Sequence, residues 1–225
     1  MQTGECRPVL SAPSLRALSS LCLLWSWYRF LGVTLTGFLG MLHPAEFLVL
    51  KRRDLVLPSD SLHSEPVFFV HVTNPKTWRF ARRQHCKIDD PLVLLYVERA
   101  FAALSPGESL FAGGSFAYQK RWDAALHRLG IATGQSSRGA TPAVLRGSGA
   151  TYMFLSTEDL PRVQWRGRWA QLKTVEHYIQ EVAAQTLVAK LDPLAKHRIG
   201  VLDSASSALL HAFLFSESWH SQSNL

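Results

Sequence analysis

The sequence predicts a mainly helical α+β fold with a small antiparallel sheet. Three observations lead there. Stretches with helical starts, marked by proline or acidic residues, occupy both ends of the 225-residue chain. Between them stands the run VFFVHV at 67–72, rich in β-branched and aromatic residues, with a turn at Asn74-Pro75 and a second short run at 84–88. No internal repeat or low-complexity tract interrupts the order of helices, sheet, helices. The chain is long enough for one good core plus short extensions, and its 47% hydrophobic and 18% charged composition is that of a globular protein.

The first element is the apolar stretch 17–42, ALSSLCLLWSWYRFLGVTLTGFLGML, whose only charge is Arg29. A membrane helix needs about 20 apolar residues without a central charge. Arg29 falls near the middle, Ser, Thr and Gly are frequent, and basic residues flank both ends (Arg7 and Arg16 before, Lys51, Arg52 and Arg53 after). Buried core helices are therefore expected. A membrane anchor is the rival, and no small-residue cleavage site marks a signal peptide.

Pro44-Ala45-Glu46 then opens a short helix through Phe47–Leu50, with proline suited to a first turn. Asp54–Leu57 reads as a short strand stopped by Pro58, and 58–66 as a loop. Val67–Val72 and Gln84–Ile88 are a strand and its return. Asp89-Asp90 starts a helix over Pro91–Leu104, broken by Ser105-Pro106-Gly107. Ser115–Leu129 is helical, with Phe116, Trp122, Ala125, Leu126 and Leu129 as its apolar spacing. After a polar loop at 133–140, helices are expected at about 141–155, 158–164 and 171–189. Apolar runs continue in the tail, at Leu187–Leu194 and Ala208–Phe215.

A net charge of +7 and a pI near 9.6 favour a polyanionic partner. Cys6, Cys22 and Cys86 are an odd count without metal-like spacing, which points to a reducing compartment and away from a disulfide framework. His71, His85 and Cys86 could meet across the hairpin, but no fourth ligand is evident, so neither metal nor cofactor is expected. There is no Walker loop, dinucleotide glycine motif or G-x-S-x-G. Glu158 and Asp159 are adjacent, a poor carboxylate pair, and read as a helix start.

Chemistry concentrates in 141–180, TPAVLRGSGATYMFLSTEDLPRVQWRGRWAQLKTVEHYIQ. An arginine, an aromatic N–H donor and a tyrosine together can cut a phosphodiester without metal. The guanidinium binds the phosphate, the indole N–H donates to an oxygen, and the phenol attacks phosphorus. Arg146, Trp169 and Tyr178 offer this set. Taken singly, each has a plainer explanation: a helix-end charge, a buried aromatic after a glycine turn, a tyrosine packed on a helix. Gly147, Ser148, Gly149 and Ala150 are small enough to admit a DNA backbone, or to allow tight helix packing.

The motifs Leu145-Arg146-Gly147-Ser148-Gly149-Ala150-Thr151, Arg166-Gly167-Arg168-Trp169 and Thr174 to Tyr178-Ile179-Gln180 resemble the catalytic half of the tyrosine recombinase/integrase family, in order and in spacing. The resemblance covers about residues 20–190. It implies a tyrosine recombinase catalytic-domain-like fold, acting in DNA recombination and integration through a 3′-phosphotyrosyl intermediate, with double-stranded DNA and a homo-oligomer on DNA as partners. Location would follow the DNA, in nucleus or nucleoid, with no membrane expected. In that frame Tyr178 is the nucleophile, Arg146 the phosphate clamp and Trp169 a donor to a nonbridging oxygen. Lys76, in the hairpin segment 72–77, is the general acid. Arg79, Arg82, Arg83, Lys87 and Arg168 would contact the DNA backbone.

The division expected is a 1–16 extension, a 17–190 catalytic domain and a 191–225 tail. The family's separate N-terminal DNA-binding domain has almost no room here. The family's apolar helix before its first catalytic arginine would run from Trp25 to Leu39 and stop near Gly40. Two departures mark a degenerate copy. The family's L-R-x-x-E is here Leu42-His43-Pro44-Ala45-Glu46, and the histidine of H-x-x-R is Ala143. Losing one preorganised donor costs about 3–4 kcal/mol, or ~10²–10³ in rate. A weakened or inactive enzyme is expected, with a non-catalytic DNA-binding remnant of a mobile element as the alternative.

Overall fold

A computed structural model describes residues 8–61, 66–73, 84–134 and 139–215. The Ser11 hydroxyl caps α1 (Ala12–Leu24) by accepting the Ser14 N–H, and Pro13 sits in the first turn. α1 ends at Trp25, and Ser26 takes a left-handed conformation (φ 57°) before α2 (Tyr28–Leu39) begins. The apolar stretch is thus two helices. The second starts three residues later than the sequence predicts, because Trp25 closes α1 and Trp27 caps α2. Gly40 ends it.

Ala17, Leu18, Phe30, Val33 and Phe38 are fully buried. Arg29 leaves the apolar face to donate to Leu110 O and to Glu108 Oε1, both at 2.9 Å, and to Ser109 O. Among the described residues no helix is long and apolar enough to cross a membrane.

α3 (Pro44–Phe47) follows, then the antiparallel sheet β1 (Leu55–Val56), β2 (Phe68–His71) and β3 (His85–Ile88) in that spatial order. Phe68 faces Ile88, Val70 faces Cys86 and His71 faces His85. Phe68, Val70, Cys86 and Ile88 point inward, while His71 and His85 lie on the exposed face. The pleat therefore puts Cys86 on the opposite side from the two histidines. No group of three His, Cys, Asp or Glu side chains among the described residues is placed to hold a metal.

Asp90 caps α4 (Pro91–Phe101) through the Val93 N–H at 3.0 Å. α5 (Gly114–Leu129) buries Tyr118, Trp122, Ala125, Leu126 and Leu129 and ends on the left-handed Gly130. Phe116 is 81% exposed, because it precedes Tyr118 by two residues and so sits on the far side of the helix from the buried stripe. α10 (Pro193–Phe215) lies along α1 of the same chain. Ser20 Oγ donates to Leu202 O at 2.7 Å, Arg16 pairs with Asp203, and the Phe213 ring packs on Tyr28 and Tyr96.

Candidate active site

The site is built on α6 (Val144–Thr157), which crosses α2 at very close range. A Cβ added to Gly149 would lie 1.8 Å from Phe38 O, so only glycine lets the two backbones meet. One residue earlier, Ser148 Oγ accepts the Leu10 N–H at 2.9 Å. The small residues Ser148, Gly149 and Ala150 thus serve helix packing and are buried, while Gly147 lies beside the Tyr178 ring.

That crossing carries Arg146 to the end of α2. Its Nη1 donates to Met41 O at 2.9 Å and to Glu46 Oε2 at 3.4 Å. Its Nη2 donates to Gly167 O at 3.1 Å.

α7 (Leu160–Gly167) supplies the opposite wall. Asp159 caps it through the Arg162 N–H, and Arg166 ties it to β3 by donating to Lys87 O at 2.9 Å and Asp89 Oδ2 at 2.5 Å. The helix ends at Arg168 in a left-handed conformation (φ 62°), and the Trp169 ring folds back over Gly167, where an added Cβ would lie 1.7 Å from it.

Glu46 is the hub. It is 5% exposed, and its Oε2 accepts from the His43 N–H at 2.8 Å, Arg168 Nη2 at 3.1 Å and Arg146 Nη1 at 3.4 Å. Burial of Arg146 lowers its pKa from the ordinary arginine value. Glu46 opposes that shift and Arg168 adds to it. Arginine starts so far above neutrality that the guanidinium remains charged.

Tyr178 sits in the break between α8 (Leu172–Glu176) and α9 (Glu181–Thr186), where the sequence predicted one helix. Thr151 of α6 holds this break: its Oγ1 donates to Tyr178 O at 3.0 Å and accepts the Gln180 N–H at 3.1 Å. The rings of Trp169 and Tyr178 lie 5.0 Å apart. Arg146 Cζ is 4.7 Å from the Trp169 ring centre and 5.9 Å from that of Tyr178, within cation–π range of both. Three residues distant in sequence therefore form one cluster.

No protein-family model matches the sequence, and no curated protein matches it. Solved structures do match the fold. An XerH site-specific recombinase bound to palindromic difH substrate, in a post-cleavage complex, aligns with a TM-score of 0.55 at 18% identity, over 84% of this chain and 54% of its own. An XerA recombinase aligns at 0.57 and 15% identity, over 83% and 65%. XerH in its pre-cleavage complex with difH aligns at 0.52 and 19% identity, over 77% and 50%.

The fold is that of a tyrosine recombinase catalytic domain. The chain spans about half to two thirds of the length of the recombinases it matches.

Within this recombinase-like fold, Arg146, Trp169 and Tyr178 come together. His43 stands at the N-terminus of α3, where its Nδ1 accepts the Ala45 N–H at 3.2 Å as a helix cap. A doubly protonated imidazole has no acceptor, so a cationic His43 would lose this bond. Ala143 caps α6 and is exposed. Lys76, Arg79, Arg82 and Arg83 lie outside the described residues. Lys87 is on β3, half-buried, with Nζ 3.9 Å from Asp89 Oδ2. The Arg168 side chain is only 4% exposed and lies against Glu46.

Sequence reasoning missed two organisers. Glu46 was visible only as the glutamate three places after His43, and Thr151 only as the last letter of a motif. A cavity of about 190 Å³ between β3 and α6, lined by Lys87, Asp89, Tyr152 and Arg162 among others, shares no lining residue with the Arg146–Trp169–Tyr178 cluster.

Proposed function

We propose that this chain is a DNA breaking-and-rejoining domain of the tyrosine recombinase type, with a weakened centre. The observation that carries the reading is the close grouping of Arg146, Trp169 and Tyr178. Arg146 is held by two carbonyls and one carboxylate before any ligand arrives, so its geometry costs little reorganisation when charge develops. It binds the nonbridging oxygens of a DNA phosphodiester, and Trp169 donates to one of them. The Tyr178 phenol gives its proton to solvent water and attacks phosphorus. A Tyr178 O–P bond forms as the P–O5′ bond breaks, leaving a 3′-phosphotyrosyl link that conserves the bond for rejoining. In the resemblance the leaving 5′ oxygen takes its proton from Lys76. Lys87, together with Arg79, Arg82 and Arg83, would follow the DNA backbone, and the working form would be a homo-oligomer on DNA wherever that DNA resides. Residues 17–190 would carry the chemistry, with 191–225 as the tail.

The second reading is a DNA-binding remnant that no longer cuts. Two observations favour it: His43 in place of an arginine, with its Nδ1 engaged in a cap, and Ala143 in place of a histidine. Both readings predict DNA affinity that falls steeply with salt.

A nicked suicide DNA substrate separates them. Strand cleavage by Tyr178 predicts a covalent protein–DNA band that disappears in Tyr178→Phe and grows about 10²–10³-fold in rate in His43→Arg. No band from wild type or from His43→Arg, with salt-sensitive binding intact, rejects cleavage and leaves the remnant reading. Absent or salt-insensitive binding rejects both.

A further inference from the structure

We propose that Arg168 supplies the second guanidinium of the phosphate pocket, in the role that histidine at position 43 leaves empty. The inference rests on the phosphate-binding reading of the Arg146 site given above.

Position is the first argument. Arg168 Nη2 and Arg146 Nη1 approach the same oxygen, Glu46 Oε2, at 3.1 and 3.4 Å, and the His43 N–H reaches that oxygen at 2.8 Å. Arg168 therefore meets position 43 and Arg146 at a single point. Arginine is suited to such a place because its planar fork can serve a carboxylate with one edge and a phosphate with another.

An unanswered donor is the second. The Arg168 side chain is 4% exposed, and its Nε is buried without a hydrogen-bond partner among the described residues. Buried donors in folded proteins are nearly always paired, and one left open beside a charged site marks a place for an acceptor.

Charge balance is the third. Two largely buried guanidiniums share one carboxylate, which leaves one positive charge without an ion-pair partner of its own among the described residues. A phosphodiester carries the single negative charge that closes the balance.

The backbone gives the fourth. Arg168 holds a left-handed conformation uncommon for a residue with a side chain. The same turn brings Trp169 back over Gly167. One feature of the chain thus places the indole and the second guanidinium together.

The test uses the whole wild-type protein, labelled with ¹⁵N and titrated with inorganic phosphate while the arginine Nε–H resonances are followed. The proposal expects the Arg146 and Arg168 signals to move together with one apparent Kd. It also expects Arg168→Lys, which keeps the charge and loses the fork, to raise that Kd at least about tenfold. If Arg146 responds and Arg168 does not, or if Arg168→Lys stays within twofold of wild type, Arg168 is not a phosphate ligand, and the recombinase reading survives without it. If neither resonance moves, the cluster is not an anion site, and this inference falls with the reading beneath it.

Discussion

The aromatic core and the Glu46 corner belong to one fold and are held by different forces. In the core, Phe30 lies 4.7 Å from Tyr118, and Phe111 lies 5.5 Å from it at a right angle. Its few polar groups are neutral and satisfied: Tyr118 OH shares a 2.7 Å hydrogen bond with Thr34, and Trp122 Nε1 donates to Ala140 O at 2.7 Å. Burial pushes the Tyr118 phenol above its ordinary pKa, which keeps it uncharged. The corner has a much smaller apolar cluster of Met41, Ala150, Val163, Trp169 and Val175, and beside it two guanidiniums and a carboxylate stay charged. The contrast teaches that neutral, aromatic packing holds one region while an ion-paired cluster of charge holds the other.

The contrast can be broken most easily at its extremes. Trp122→Ala should cost about 3–5 kcal/mol through the cavity it leaves, read by urea denaturation. Added phosphate should recover none of it, and a cost under ~1 kcal/mol would show that the core is not the main support.

Glu46→Gln should come next, at about 3 kcal/mol, because it leaves two buried guanidiniums without their shared anion. Here inorganic phosphate should recover part of the loss by binding the folded state, as an upward shift of the denaturation midpoint with concentration. No recovery would place Glu46 with the core as a purely structural group.

Thr151→Val should cost ~1 kcal/mol for its two hydrogen bonds. If the Tyr178 break depends on those bonds, the variant should also loosen Tyr178, seen as faster amide exchange at 178–180. Unchanged exchange would mean that the break is held by packing alone.

Arg16→Ala should be the mildest, under ~1 kcal/mol and fading with salt. Its side chain is 52% exposed, although the Asp203 pair bridges α1 and α10.

Most of the fold was legible in the sequence because periodicity and helix starts are local. Pro44, Asp90 and Leu129 mark element ends where expected, and the β-branched and aromatic run at 67–72 pairs with its expected return at 84–88. The break at Ser26 was misplaced by three residues: the second helix was expected from Trp25, and nothing in the residues announces a left-handed serine. The break at Tyr178 was hidden, because its cause lies about 27 residues away, in a side chain of α6. Phe116 shows the reverse error, an apolar residue counted with a stripe whose phase it does not share.

In the site, Arg146, Trp169 and Tyr178 were readable from motif order. The hub was not, because a lone glutamate carries no sign of what it will pair with. Arg168 was expected to contact the DNA backbone, and only the turn that follows α7 shows that its side chain lies against Glu46.

The central claim is that the Arg146 guanidinium lies against both the Trp169 and Tyr178 rings, 4.7 and 5.9 Å from their centres, before any DNA is present. An arginine side-chain NMR spectrum of the unliganded protein tests this most directly. The account predicts an Arg146 Nε–H resonance displaced by ring currents, with through-space contacts to both aromatic rings and a displacement reduced in Tyr178→Leu. An Arg146 signal at the position of exposed arginines, without contact to either ring, would contradict it.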